Sequence, residues 1–180
     1  NLIRIDPEQL TERQRQKFIE LCGVCPRIVL INPVYGFSTA TSSDYAKAEQ
    51  WITLVLNKLK PEYSVAQKVA IIDNEIGKKI SYTPDFDTEV FDRESSCNLF
   101  KVIASGYGIC AGIAKVEGYI LNRIGVENEI ASSGKHAFIK LKNIELPLAN
   151  GQTIRGNTII DPTWNLSYHK FGAKPNYFCI

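Results

Sequence analysis

Apolar residues recur along this 180-residue chain with two different periods, and the change of period divides it. In the earlier part the spacing is helical. Ile52, Val55 and Leu59 share one stripe of a helix predicted over 44–59, which Pro61 brings to a stop. Ser64 and Gln67 have the spacing of a capping box, and Val65, Val69, Ile72 and Ile76 behind them form a clean apolar face over 64–79. Ile113, Val116, Ile120 and Ile124 repeat at three and four residue steps, with Gly125 where a left-handed cap would sit. Asp6-Pro7-Glu8-Gln9 resembles a capped start for a first helix burying Leu10, Phe18 and Leu21, and a short helix is expected over 96–104. After Gly125 the period falls to two, giving strand candidates at 126–131, 135–141 and 157–161, and 27–31 is a shorter one. The segments 32–43 and 83–93 are polar and turn-rich. Helices first and strands later predict an α+β fold, with an antiparallel sheet against the third major helix.

Three residues with reactive chemistry stand where these elements begin or end. Cys110 follows the turn Ser105-Gly106-Tyr107-Gly108-Ile109 and opens a helix. A thiol of ordinary pKa about 8.5 is mostly protonated at neutral pH, and the positive end of a helix favours its thiolate. The glycines at 106, 108 and 112 would also leave room for a substrate backbone. His136, in Lys135-His136-Ala137-Phe138-Ile139, lies on a predicted strand, with His136 and Phe138 on one face and Ala137, Ile139 and Leu141 on the other. Asp161 ends the apolar run Thr158-Ile159-Ile160 and precedes Pro162-Thr163-Trp164. A thiol nucleophile, an imidazole base and a carboxylate that fixes the imidazole are the parts of a cysteine acyl-transfer site.

In this order, Gly-x-Cys opening a helix, His-Ala-aromatic on a strand and Asp-Pro-Thr-Trp resemble the transglutaminase-like superfamily, a branch of the papain-like cysteine enzymes. The resemblance spans 64–164. It implies a papain-like, transglutaminase-core fold over 63–180, with 1–62 as an N-terminal helical extension, the two folded as one compact unit. It further implies that Cys110, His136 and Asp161 are the catalytic triad. Two departures leave the triad intact: Phe138 replaces the commoner tryptophan, and 143–157 looks like an insertion between strands. By the same resemblance Tyr82 is a candidate oxyanion donor beside the Cys110 N–H, and its alternative role is packing. Trp164 would cap the site or fill the core. Transglutamination, deamidation and proteolysis all fit such a triad, with a protein or peptide amide as substrate. The reading from another class is an inactive domain that uses the same cleft to bind a peptide.

Composition narrows the alternatives. A hydrophobic content of 44% supports one substantial core, and a net charge of +2 from scattered lysines and arginines offers nucleic acid no footprint. No apolar run approaches the roughly 18 residues of a spanning helix, so membrane insertion by this segment is not expected. Of two histidines, His169 competes for the base, but it falls in the tail 165–175, which is rich in turn formers and aromatics. Asp161 before proline could also simply start a turn. Five cysteines leave one thiol unpaired; Cys97 and Cys179 read as small buried residues. Cys22 and Cys25 have redox or half-zinc spacing, yet no second Cys/His pair completes a site and the pair follows a helix, so a structural origin is expected. No dense acidic loop suggests calcium, and no metal or cofactor is expected. The chain begins at Asn1 without any methionine, which predicts a fragment or processed form whose targeting signal would lie upstream. A secreted or cell-surface setting is favoured over the cytoplasm. Oligomeric state is left open by these residues.

Overall fold

Ser64 and Gln67 do close a capping box: the Ser64 hydroxyl accepts from the Gln67 N–H at 3.2 Å, and the Gln67 side chain accepts from the Ser64 N–H at 2.9 Å. The helix they start, α3 (Val65–Lys79), buries Val69, Ile72 and Ile76 on one side. Thr41 and Asp44 make the same exchange ahead of α2 (Ser42–Leu56), so this helix begins earlier than the apolar stripe alone suggests. Thr11 and Gln14 repeat it ahead of α1 (Glu12–Leu21). The computed structural model describes residues 3–5, 10–21, 28–31, 39–83, 93–134, 136–147 and 150–170. The expected helix start at Asp6 to Gln9 and the pair Cys22 and Cys25 lie outside the described residues, as do Cys179 and the side chains of Phe18, Leu21 and His169.

Where one helix was expected over 96–104 there are two, α4 (Arg93–Cys97) and α5 (Leu99–Ser105). Asn98 makes the break. Its side-chain oxygen accepts from the N–H groups of Phe100 and Lys101, which caps α5 and turns the chain out of α4. Next comes α6 (Cys110–Arg123), whose inward side carries Ile113, Val116, Tyr119 and Ile120. Tyr45 of α2, Phe100 of α5 and Tyr119 stack edge to face, with centroids 5.1 and 5.6 Å apart, and join α2 to the same core as α3, α5 and α6.

The strands β6 (Asn128–Ser133), β7 (His136–Pro147) and β8 (Thr153–Ile160) form an antiparallel sheet in that order, and α6 packs on β6 and β7. Ala137, Ile139 and Leu141 are the buried set of β7, while His136 and Phe138 are half-buried. Much of the segment 143–157, where an insertion was expected, is strand. It lengthens the β7–β8 hairpin past a register shift between Leu141 and Ile144, where Asn143 adopts a left-handed φ of 53° and its N–H donates to Asn157 at 3.0 Å. Short strands β1 (Ile3–Ile5), β2 (Ile28–Ile31) and β3 (Thr39–Ala40) form a second sheet, and β4 (Ser81–Tyr82) pairs in parallel with β5 (Tyr107–Gly108). The tail does not begin as a turn: α7 (Pro162–Lys170) follows Asp161 directly. Mixed helix and antiparallel sheet make this an α+β fold. Among the described residues no helix is long and apolar enough to cross a membrane.

Candidate active site

Cys110 is the first residue of α6, and the turn before it is held from two sides. The Gly106 carbonyl accepts from Ser81 and the Gly108 carbonyl from Thr83, at 2.9 and 3.0 Å, while the Ile109 N–H donates to Ser96 at 3.2 Å. Gly106 ends α5 with φ 81°, a left-handed conformation that suits glycine. The space beside Gly112 is filled by the protein itself: a Cβ there would lie 2.2 Å from the Ser96 carbonyl oxygen. Close docking of α4 on α6 therefore explains Gly112, rather than room for a substrate. Cys110 is 8% exposed, at the positive end of the α6 peptide dipoles.

Tyr82 stands opposite Gly108 in the β4–β5 pair and is 44% exposed, so it does not fill the core. Its phenol pKa is raised by partial burial and then by the neighbouring Cys110. Trp164 is 61% exposed and likewise is not a core residue.

His136 and Asp161 meet. The His136 Nε2 and the Asp161 Oδ2 are 2.5 Å apart, on a half-buried ring and a buried carboxylate. The other carboxylate oxygen, Oδ1, accepts from the Trp164 N–H at 3.1 Å, and the Asp161 carbonyl accepts from the Asn165 N–H at 3.1 Å. Asp161 is thus the N-cap of α7 with Pro162 at the first helical position, a pairing readable in the sequence as Asp-Pro ahead of Thr-Trp-Asn. With Nε2 facing a carboxylate, Nδ1 is the ring nitrogen left to exchange a proton with another group.

Sequence reasoning missed three buried polar residues behind Asp161. Asp73 of α3 accepts from the Asn165 side-chain amide of α7, and Glu117 lies two turns beyond Cys110 on α6. Burial, opposed by the Asn165 hydrogen bond and reinforced by the Asp161 charge, pushes Asp73 up to about 7. Burial, then the charges of Asp73 and Asp161, push Glu117 well above the ordinary carboxyl range. A signal was available: each acid interrupts an apolar face, Asp73 beside Ile72 and Ile76, Glu117 beside Ile113 and Ile120. Among the described residues no group of three or more His, Cys, Asp or Glu side chains is placed to hold a metal ion. Two surface cavities of about 490 and 500 Å³ lie along β7 near Lys142, and neither is lined by the His136–Asp161 pair or Cys110.

No protein-family model and no curated protein matches the sequence significantly. Solved structures do match in shape. One is a TGase, which overlaps 88% of this chain and 35% of its own length with 10% identity and a TM-score of 0.46. Another is a candidate protease from Parabacteroides distasonis, overlapping 69% of this chain and 31% of its own length with 15% identity and a TM-score of 0.41. The structural neighbours are a transglutaminase and a protease-like protein. The chain spans about a third of the length of either neighbour.

Proposed function

We propose that this chain is a transglutaminase-like cysteine acyl-transfer domain of papain-like arrangement, acting on protein or peptide amides through Cys110, His136 and Asp161. The observation that carries the reading is the His136–Asp161 contact of 2.5 Å, made by a carboxylate that the first turn of α7 also holds in place. In this reading Asp161 fixes the ring with its proton on Nε2, and Nδ1 takes the proton of the Cys110 thiol. The thiolate attacks an amide carbonyl, and the Cys110 N–H and the Tyr82 hydroxyl donate to the oxyanion. Collapse expels the amine, which takes the proton from the imidazolium, and leaves a thioester at Cys110. Water then gives deamidation or proteolysis, and a lysine amine gives a crosslink. In this reading 63–180 is the catalytic core and 1–62 an N-terminal extension, of which Tyr45, Ala48, Ile52 and Val55 of α2 join the common hydrophobic core.

A glutamine peptide incubated with and without a primary amine tests the chemistry by mass spectrometry. Amine incorporation, a gain of about 1 Da or chain cleavage each selects one reaction, and Cys110→Ala abolishes all three. The small exposure of Cys110 favours a second reading, a peptide-binding module without turnover. Alkylation at pH 6 separates the two: rapid labelling of Cys110 that depends on His136 belongs to the enzyme, and labelling at the rate of an ordinary thiol belongs to the module.

A further inference from the structure

We propose that Asp73, acting through Asn165, is a positioning residue of this site, holding the turn of α7 from which Asp161 meets His136. The inference rests on the triad reading for its catalytic meaning, while its geometry stands on other residues. Asp161 and Asn165 are one helical turn apart and joined by the first backbone hydrogen bond of α7. At one end of this turn the carboxylate grips the imidazole, and at the other the buried Asn165 amide grips Asp73 on α3. Without the second grip, α7 could roll on α3 and carry the Asp161 carboxylate away from the ring.

The pocket around that grip also dictates a charge state. Asp73 Oδ1, both Glu117 carboxyl oxygens and Asn165 Oδ1 are buried without a hydrogen-bond partner among the described residues. Ionised carboxylates can only accept, so a cluster of acceptors at this depth is tolerable when Asp73 and Glu117 carry protons and become donors. The groups that face Asp73 are Glu117 from α6, Asp161 from the β8–α7 junction and Asn165 from α7; from β7, His136 reaches it through Asp161. None of the three direct neighbours is a cation. A protonated Asp73 leaves Asp161 as the single anion beside His136. Ionisation of Asp73 as pH rises past about 7 adds a second negative charge beside Asp161.

Two measurements on the intact chain test the proposal. The first is the rate of Cys110 alkylation by iodoacetamide at pH 6; the second is the NMR titration of the His136 ring, assigned with His136→Gln. Asn165→Ala should slow alkylation on the order of 10- to 100-fold, as expected when a catalytic group is displaced by about an ångström. Asp73→Asn, which keeps an acceptor for Asn165 but cannot ionise, should retain most of the rate and move the His136 midpoint down. A purely structural role would lower melting temperature in both variants without moving that midpoint. Unchanged alkylation in Asn165→Ala together with an unchanged titration in Asp73→Asn overturns the proposal. If Asn165→Ala does not fold, the Asp73→Asn titration decides alone. Failure of the triad reading has a different signature, since Cys110 would then alkylate equally in wild type and His136→Ala while the titration shift persisted.

Discussion

Helix α6 packs against one buried acid and carries another, and the two live under opposite rules. On one side Glu49 of α2 accepts from the Tyr119 hydroxyl and the Arg123 guanidinium, both at 2.9 Å, and Arg123 reaches on to Glu12 at 2.8 Å. On the other, Glu117 is just as deeply buried and has two acids as its electrostatic neighbours. A guanidinium supplies Glu49 with a charge and directed donors, so the burial of one ion is met by another. Glu117 has only the proton it can retain. The same helix therefore carries a settled ion pair and a strained polar pocket. The strained one adjoins Asp161, where the site's chemistry would take place. Unpaired buried polar groups lower stability, and proteins hold such groups mostly where position or protonation has a use.

Removing the cation should have the largest effect. Arg123→Ala leaves the Glu49 carboxylate buried with only the Tyr119 hydroxyl, and chemical denaturation should show a loss of about 3–5 kcal/mol. A loss below about 1 kcal/mol would mean the two acids do not differ as described. Next comes Asp73→Asn. The unfolded aspartate releases its proton near 3.8 and the folded one near 7, so wild-type stability declines as pH rises through that interval. The variant escapes this decline and should gain about 2–4 kcal/mol on wild type between about pH 4 and pH 8, read from melting curves at each pH. Parallel curves would place Asp73 among ordinary carboxylates. Glu117→Leu should follow, stabilising by about 1–3 kcal/mol near neutrality because an unpaired buried carboxyl is exchanged for an apolar chain. Its advantage should shrink toward acid, where the unfolded glutamate is also protonated. Destabilisation at every pH would reveal hydrogen bonds that Glu117 makes through water. The smallest change belongs to Glu12→Ala: Glu12 is 70% exposed, and the loss should stay within about 1 kcal/mol and fade with added salt.

Most of the helical frame was legible because its signals are local. The stripes of α3 and α6, the Ser64 capping box and the left-handed Gly125 follow from spacing and cap chemistry alone. Asn98 was harder, since an asparagine inside an apolar run can sit on a helix face or, as here, stop one helix and start the next. Asn143 hid the long β7–β8 hairpin by placing a left-handed residue in what read as a loop. Asp161 before Pro162 was read as a strand end, and its second identity as a helix cap turned an expected coil into α7. The contact between His136 and Asp161 was legible as chemistry, from residue types that need each other. Asp73 and Glu117 were not, because an acid at the margin of an apolar stripe faces inward or outward according to what the opposing helix presents. That depends on α7, which local pattern had not supplied.

Asp161 anchors α7 with one oxygen and steadies an imidazole with the other, so a lineage drifting toward a silent copy of this domain could not discard that carboxylate without also fraying its final described helix. Cys110 bears no such double duty in capping. Descendants that abandon turnover but keep their shape should therefore lose the sulfur first and keep the acid.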